Sequence, residues 1–240
     1  MLPANTIDDI RHAVGQAFVT RYPQTGPSNV RMVGLLFAPP NSHVAKTEIV
    51  PRLDEFHHRS GNHIDFFCAG YGAYWPWSHV PDKKVVATVT SEFGNEREWL
   101  FSAAMFNNIR KQLKVAAPQY VYSGESDLLL FNAYPAPNSI AALDFTGAIA
   151  LKLSNMRNDK LLDSVAELFE QIFTYSERQS GVDPTWGFSD AMGWNTGKSW
   201  AKELILSALP VRTERLWRLG RHYAVLNLSS RRQLLLKQRR

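Results

Sequence analysis

Residues 30–70 decide the fold and read VRMVGLLFAPPNSHVAKTEIVPRLDEFHHRSGNHIDFFCAG. Two apolar runs, 32–37 and 64–68, flank a segment in which residues 45–59 place apolar side chains at the spacing of an amphipathic helix. Pro51 lies inside this helix and predicts a kink. A strand, a helix and a second strand in this order predict a βαβ unit, in which a right-handed crossover joins parallel strands.

Composition limits the classes of protein to which the chain can belong. Its 240 residues, 45% of them hydrophobic, suit one large domain or a domain with a sizeable extension. The single cysteine, Cys68, excludes an internal disulfide and a paired-cysteine redox or zinc motif. No apolar leader follows Met1, and no run of about 18 apolar residues is present. These features predict a cytoplasmic protein.

Positive charge is concentrated at the carboxyl end of the chain. The formal net charge is +5, yet residues 178–240 hold twelve of the lysines and arginines and only four of the acidic residues. A polyanionic partner would therefore meet the last quarter of the chain.

Hydrophobic periodicity and turn residues predict the remaining elements. Thr6 and Asp9 resemble a capping box that begins a helix over residues 7–20. Further helices are predicted at 96–114 and 161–173, and strands at 85–89, 128–131, 141–153 and 223–228, with Gly147 as a bulge in the third of these strands. The predicted organisation is an N-terminal helix and linker over residues 1–27, an α/β core over 28–180 and a basic extension over 181–240.

The core order strand, helix, strand, helix, strand, strand, helix resembles the thioredoxin-like superfamily over residues 28–178. Residues 51–55, PRLDE, are similar to the helix segment that follows the redox motif of that family, including its kinking proline. Residues 127–131, DLLLF, are similar to the family's third core strand. The resemblance implies a three-layer α/β/α fold with a mixed sheet.

The chain departs from this family at its reactive positions. Counting back from Pro51, the family's CxxC motif falls on residues 43–46, HVAK, where no cysteine is present. The family's cis-proline falls on Ser126. Without these thiols, the chain cannot perform thiol–disulfide exchange by the family mechanism.

The resemblance also implies where partners bind. In thioredoxin-like proteins, the loop before the first core helix faces the loop before the third core strand, and substrates lie between them. Here that expectation brings together the partner-binding candidates Asn41, Ser42, His43, Lys46, Ser123 and Ser126. Within the same region, His43 and Glu125 are candidates for an acid/base pair, and solvated loop residues are the alternative interpretation.

A metal-dependent nuclease is an alternative for the same segment. Residues 124–127, GESD, are similar to the strand entry of PD-(D/E)xK nucleases, where the aspartate, here Asp127, binds a divalent metal. Those enzymes need a Glu-x-Lys on the next strand, and the nearest counterpart, residues 150–152, begins with alanine. The resulting carboxylate set is incomplete, and the sequence predicts neither a metal site nor a cofactor.

The basic extension offers a second alternative, which is nucleic-acid binding. Phosphate contacts are predicted for eight cations, with Trp75 and Trp77 as stacking surfaces; the cations are Arg215, Arg218, Arg221, Arg231, Arg232, Lys237, Arg239 and Arg240. A solvated basic tail is the competing interpretation. Taken together, the sequence favours a redox-inactive thioredoxin-like binding or adaptor module with a protein partner over an enzyme.

Overall fold

The computed structural model describes residues 2–20, 30–60, 64–72, 82–90, 96–178 and 223–225. Its strands are β1 (Leu2–Ala4), β2 (Arg31–Phe37), β3 (Ile64–Ala69), β4 (Tyr71–Gly72), β5 (Lys84–Thr90), β6 (Glu96–Phe101), β7 (Asp127–Ala136), β8 (Ile140–Lys152) and β9 (Tyr223–Val225). Its α-helices are α1 (Ile7–Thr20), α2 (Leu53–Arg59), α3 (Ala103–Ala116), α4 (Leu153–Asn158) and α5 (Val165–Arg178). The chain is thus an α/β protein.

A mixed six-stranded sheet runs through the molecule in the order β1-β3-β2-β7-β8-β9. Strands β1, β3 and β2 are parallel, whereas β7, β8 and β9 each pair antiparallel with their neighbour. The apolar runs at 32–37, 64–68 and 128–131 therefore lie in adjacent strands. A separate antiparallel sheet has the order β4-β6-β5.

Both faces of the large sheet are buried at its central strands, β2 and β3. Met32 and Leu36 of β2 belong to a cluster that contains residues of α2, α4 and α5, whereas Val33 and Leu35 belong to a cluster that contains residues of α1 and α3. This alternation follows from the two-residue period of a strand. It explains why β2 and β3 are buried along their whole length and read as continuous apolar runs.

The predicted βαβ unit is confirmed, since β2 and β3 are parallel neighbours. The predicted kink is confirmed as well, because the segment between them is not one α-helix. A π-helical turn over Ala45–Ile49 is followed by a 3-10 turn over Val50–Arg52 and then by α2. Pro51 has no backbone N–H to donate, so the hydrogen-bond pattern changes around it.

The prediction of a helix over 96–114 is wrong in its first part. Residues Glu96–Phe101 form β6, which pairs antiparallel with β4 and β5, and α3 begins only at Ala103. Ser102 marks the change, because its side chain caps the helix by accepting a hydrogen bond from the backbone N–H of Met105 at 3.2 Å. Trp99 is buried through this pairing, so its apolar character did not distinguish a helix from a strand.

Local signals elsewhere predicted the structure correctly. The Thr6 N–H donates to Asp9 Oδ2 and the Asp9 N–H donates to Thr6 Oγ1, both at 3.0 Å, which is the expected capping box. Gly147 has a φ of 78°. It lies in the part of β8 where the register of the β7–β8 pairing shifts. Its positive φ is compatible with glycine, and the bulge is confirmed.

Parts of the predicted organisation lie outside the described residues. These are the linker after α1, since residues 21–29 are not described, and, apart from β9, the basic extension at 181–240. Within the part of the chain that is described, no helix combines the length and apolar character needed to cross a membrane.

Candidate functional site

The carboxyl ends of the parallel strands meet at one edge of the large sheet. Strand β7 is antiparallel to β2 and begins at this edge, where Phe37 pairs with Asp127. The loop after β2 and the loop before β7 therefore lie side by side. Open α/β sheets bind ligands at the carboxyl ends of their parallel strands, so we take this edge as the candidate site.

Ser42 and Ser126 join the two loops. Their hydroxyl oxygens are 2.7 Å apart, and both residues are buried. Ser42 Oγ also accepts from the Ala45 N–H at 3.2 Å, and the Ser126 N–H donates to Ser154 Oγ at 3.1 Å. These two candidate residues are brought together as the sequence predicted, but they fasten the loops to each other and are not exposed to a partner.

An exposed polar rim surrounds this hydrogen bond. Asn41 and His43 are exposed after β2, Lys46 is exposed on the π-helical turn that follows, and Glu125 is exposed on the loop before β7. Among the residues that the structure describes, no hydrogen bond or ion pair joins His43 to Glu125, so the acid/base arrangement is not formed here. The rim offers donors and acceptors on its surface, which suits contact with another molecule.

Asp127 lies beneath the rim and is fully buried. Its Oδ2 accepts from the Tyr120 hydroxyl at 3.0 Å and from the Ser123 N–H at 2.8 Å, while its Oδ1 accepts from the Ser123 hydroxyl at 2.5 Å. Burial raises the pKa of this carboxyl above its ordinary value, and the hydrogen bonds from Ser123 and Tyr120 oppose that shift. Asp127 and Ser123 thus hold the 120–127 loop in place.

The expected nuclease arrangement has no counterpart in this geometry. Both carboxylate oxygens of Asp127 are engaged by protein donors, and Glu125 lies on the exposed rim. In the described ranges, no group of three or more histidine, cysteine or acidic side chains is arranged to hold a metal ion.

The single thiol lies inside the sheet. Cys68 of β3 is fully buried in the cluster that contains α2 and α5, and this burial raises the pKa of the thiol. A thiol in this environment stays protonated and is shielded from other molecules, so Cys68 is a packing residue.

The residues predicted to bind nucleic acid lie outside the described part of the chain. They are Arg215, Arg218, Arg221, Arg231, Arg232, Lys237, Arg239 and Arg240, together with the proposed stacking residues Trp75 and Trp77. Their role stays a prediction from the sequence.

Sequence reasoning missed a cavity next to the candidate site. It has a volume of about 520 Å³ and lies between the second half of α3 and the segment that leads to the 123–126 loop. Arg110, Lys111, Lys114, Tyr120 and Tyr122 line it. The three cations are visible in the sequence, where they suit the negative end of the α3 dipole. That these cations lie beside Tyr120 and Tyr122 depends on how the chain folds back after α3.

Beneath the rim, the hydroxyls of Ser42 and Ser126 bond each other, the Asp127 carboxylate is bonded to protein donors, and the Cys68 thiol is buried. Comparison with protein-family models, with curated proteins and with solved structures found no match to this chain. Function is therefore inferred from the geometry of this edge and from the sequence.

Proposed function

We propose that the chain is a redox-inactive, thioredoxin-like binding module that engages a protein partner through the rim of the carboxyl edge. The chain order β2, α2, β3, α3, β7, β8, α5 supports the thioredoxin-like arrangement, because it is the order on which the resemblance rests. The adjacency of β3, β2 and β7 in one sheet supports it further. In this proposal, residues 71–101 are an addition to the core, since β4, β5 and β6 separate β3 from α3.

The observation that carries the proposal is the Ser42–Ser126 hydrogen bond. It joins the two loops at the place where the resemblance puts the partner-binding cleft. The two hydroxyls form a closed contact, while the rim residues Asn41, His43, Lys46 and Glu125 are exposed beside it. Such a surface acts by complementarity, with hydrogen bonds and charge setting specificity.

Co-isolation from cells that naturally contain the protein tests this proposal. The chain is tagged at its native expression level, and recovered proteins are identified and quantified by mass spectrometry. We expect one identified protein to be recovered with the wild type and to be lost with the double variant His43→Glu/Lys46→Glu. The matched control is His12→Glu/Lys160→Glu, which changes the same residue types at exposed positions on other elements.

The outcomes separate contact from thiol chemistry. Recovery that survives a reducing agent and the Cys68→Ala exchange supports the proposal, because binding through the rim needs no thiol. Recovery that is equal for the rim variant and the control variant contradicts it.

Nucleic-acid binding through the basic extension is the second candidate. The excess of lysine and arginine over acidic residues in residues 178–240 favours it. We expect affinity for a single-stranded oligonucleotide to fall steeply with salt and to be lost when residues 229–240 are deleted. Affinity that is unchanged by the deletion contradicts this candidate.

A further inference from the structure

The cavity beside α3 is open to solvent, and its volume is comparable to that of small-molecule sites. Its volume of about 520 Å³ lies within the range of about 300–1,000 Å³ that ligand pockets usually show. Helix α3 forms one wall with Arg110, Lys111 and Lys114, and Pro118, Tyr120 and Tyr122 form the other. None of these residues belongs to the rim, so the cavity is a separate site.

Positive charge in the cavity is not matched by acidic side chains. The lining includes three cations and no carboxylate. Among the described residues, no salt bridge involves Arg110, Lys111 or Lys114. Asp127 is nearby, but it is fully buried and bonded to Tyr120 and Ser123. Three positive charges on a concave surface attract an anion with more than one negative charge.

Arg110 is held in position before any ligand arrives. Its guanidinium carbon lies 4.4 Å from the centre of the Tyr122 ring, and its Nη1 donates to Asn107 Oδ1 at 3.2 Å. Tyr122 is itself fixed, because its hydroxyl donates to the Glu125 carbonyl at 2.6 Å and its ring lies 5.7 Å from that of Phe37. A guanidinium ordered in this way loses little conformational freedom on binding.

We propose that this cavity binds a nucleotide, with Lys111 and Lys114 contacting the phosphate and a base stacking on the guanidinium plane of Arg110. The guanidinium lies 4.4 Å from the Tyr122 ring and 5.8 Å from the Phe106 ring, and it is exposed, so a planar base is suited to stack on this cluster of flat groups. Pro118 and Val121 add apolar surface to the wall. An acidic peptide would use the charges but would leave the stacking surface and the apolar wall unused.

Titration calorimetry on the full chain tests the proposal. The probes are the four 5′-nucleoside monophosphates, inorganic phosphate, a decamer of glutamate and a single-stranded decanucleotide. We expect at least one nucleotide to bind more tightly than inorganic phosphate. Charge reversal in Lys111→Glu/Lys114→Glu should weaken that nucleotide roughly tenfold or more, because it removes charge-assisted contacts to the phosphate.

Two further variants define the site. Arg110→Lys keeps the charge but removes the planar group, so it should weaken nucleotide binding while leaving the affinity for inorganic phosphate unchanged. Lys160→Glu reverses an exposed charge outside both the cavity and the rim and should leave nucleotide binding unchanged. All the exchanged side chains are exposed, and thermal unfolding checks that each variant is folded.

The results identify the source of the nucleotide or overturn the proposal. The site binds a single strand if the decanucleotide binds more tightly than the monophosphates and this difference is lost in Lys111→Glu/Lys114→Glu. Equal affinities assign it to a free nucleotide. The proposal is overturned by tighter binding of inorganic phosphate or glutamate decamer, by no nucleotide binding, or by no effect of charge reversal. Since none of the residues exchanged in these variants belongs to the rim, failure here is distinguishable from failure of the rim as a partner site.

Discussion

A buried ion pair links the first two strands of the βαβ unit. Arg31 Nε lies 2.9 Å from Asp65 Oδ2, and the two side chains are only 6% and 1% exposed. Removing two charges from water carries a large desolvation cost, which their mutual attraction offsets only while both are present. Removal of either side chain should therefore lower the free energy of unfolding, since the pair lies at the interface of β2 and β3.

Exchange of Arg31 tests this dependence. We expect Arg31→Met to lower the free energy of unfolding by about 3–5 kcal/mol, because it removes the guanidinium that pairs with the buried Asp65 carboxylate. Urea denaturation measures the change. The control is Arg11→Met, which breaks an exposed pair with Asp8 and should cost about 1 kcal/mol or less. Equal losses in the two variants would show that burial of the pair has no energetic consequence.

The Asp127 carboxyl should make stability depend on pH in an unusual direction. Its pKa in the folded chain is raised by burial, so the folded state holds the proton more strongly than the unfolded state. The stabilising contribution is complete below the unfolded pKa, near the ordinary value of 3.8, and is lost as pH rises through the folded pKa. Most buried, paired carboxylates contribute in the opposite sense.

Asp127→Asn removes this titration while keeping a group that can bond Tyr120 and Ser123. We expect the variant to gain stability relative to the wild type as the pH rises from about 4 to 7, by about 1.4 kcal/mol for each unit between the folded and unfolded pKa values. Denaturation midpoints measured across this range check the prediction. A stability difference that is constant with pH, or that changes in the other direction, contradicts it.

At the scale of elements, helix α1 approaches the β7–β8 connection very closely at Gly15. A Cβ at this position would lie 2.2 Å from the carbonyl oxygen of Ser139 and 2.7 Å from the Cα of Ile140. These are backbone atoms, which cannot move aside as the end of a flexible side chain can. Glycine is needed here for packing between elements, although it weakens the helix itself.

We expect Gly15→Ala to lower the free energy of unfolding by on the order of 2–3 kcal/mol, because α1 must shift away from the turn. In an exposed helix the same exchange would instead stabilise by about 1 kcal/mol. Chemical denaturation decides the sign. Gln16→Ala, at an exposed position of α1, serves as the control and should change stability by less than about 0.5 kcal/mol. A stabilised Gly15→Ala protein would contradict the close packing.

Elements with local signals were predictable from the sequence, whereas elements that depend on distant pairing were not. The capping box at Thr6 and Asp9 and the irregular helix at Pro51 arise within a few residues, so the sequence predicted both. Strand β6 exists because β4 and β5 pair with it, and its apolar spacing also fits a helix. Strand β1 has only three residues, too few to show a period, and it forms through its parallel pairing with β3.

At the scale of the whole molecule, the two loops of the candidate site were predictable because the resemblance supplied long-range information. It implied that residues 41–46 lie close to residues 123–126. The hydrogen bond between Ser42 and Ser126 links these two segments. The resemblance gave no long-range information about the cavity beside α3. Arg110 and Tyr122 are twelve residues apart in the sequence, and no periodicity indicates that the guanidinium lies over the ring.

The proposed binding surfaces lie at one end of the large sheet. The exposed rim, the Ser42–Ser126 contact and the cavity all involve the carboxyl edge of β2 or the segment leading into β7. The buried ion pair lies at the other end of β2. The proposed function therefore predicts that contacts with a protein partner are confined to the carboxyl edge.

Position-resolved photo-crosslinking tests that claim most directly. A photoreactive amino acid is placed singly at Asn41, His43, Lys46 or Glu125 on the rim, or at the exposed control positions His12 and Asn158, in cells that naturally contain the protein. We predict that one identified protein is cross-linked from the rim positions and not from the control positions. Cross-linking that is equal at all positions, or that occurs at the controls alone, would contradict a binding module that acts through its carboxyl edge.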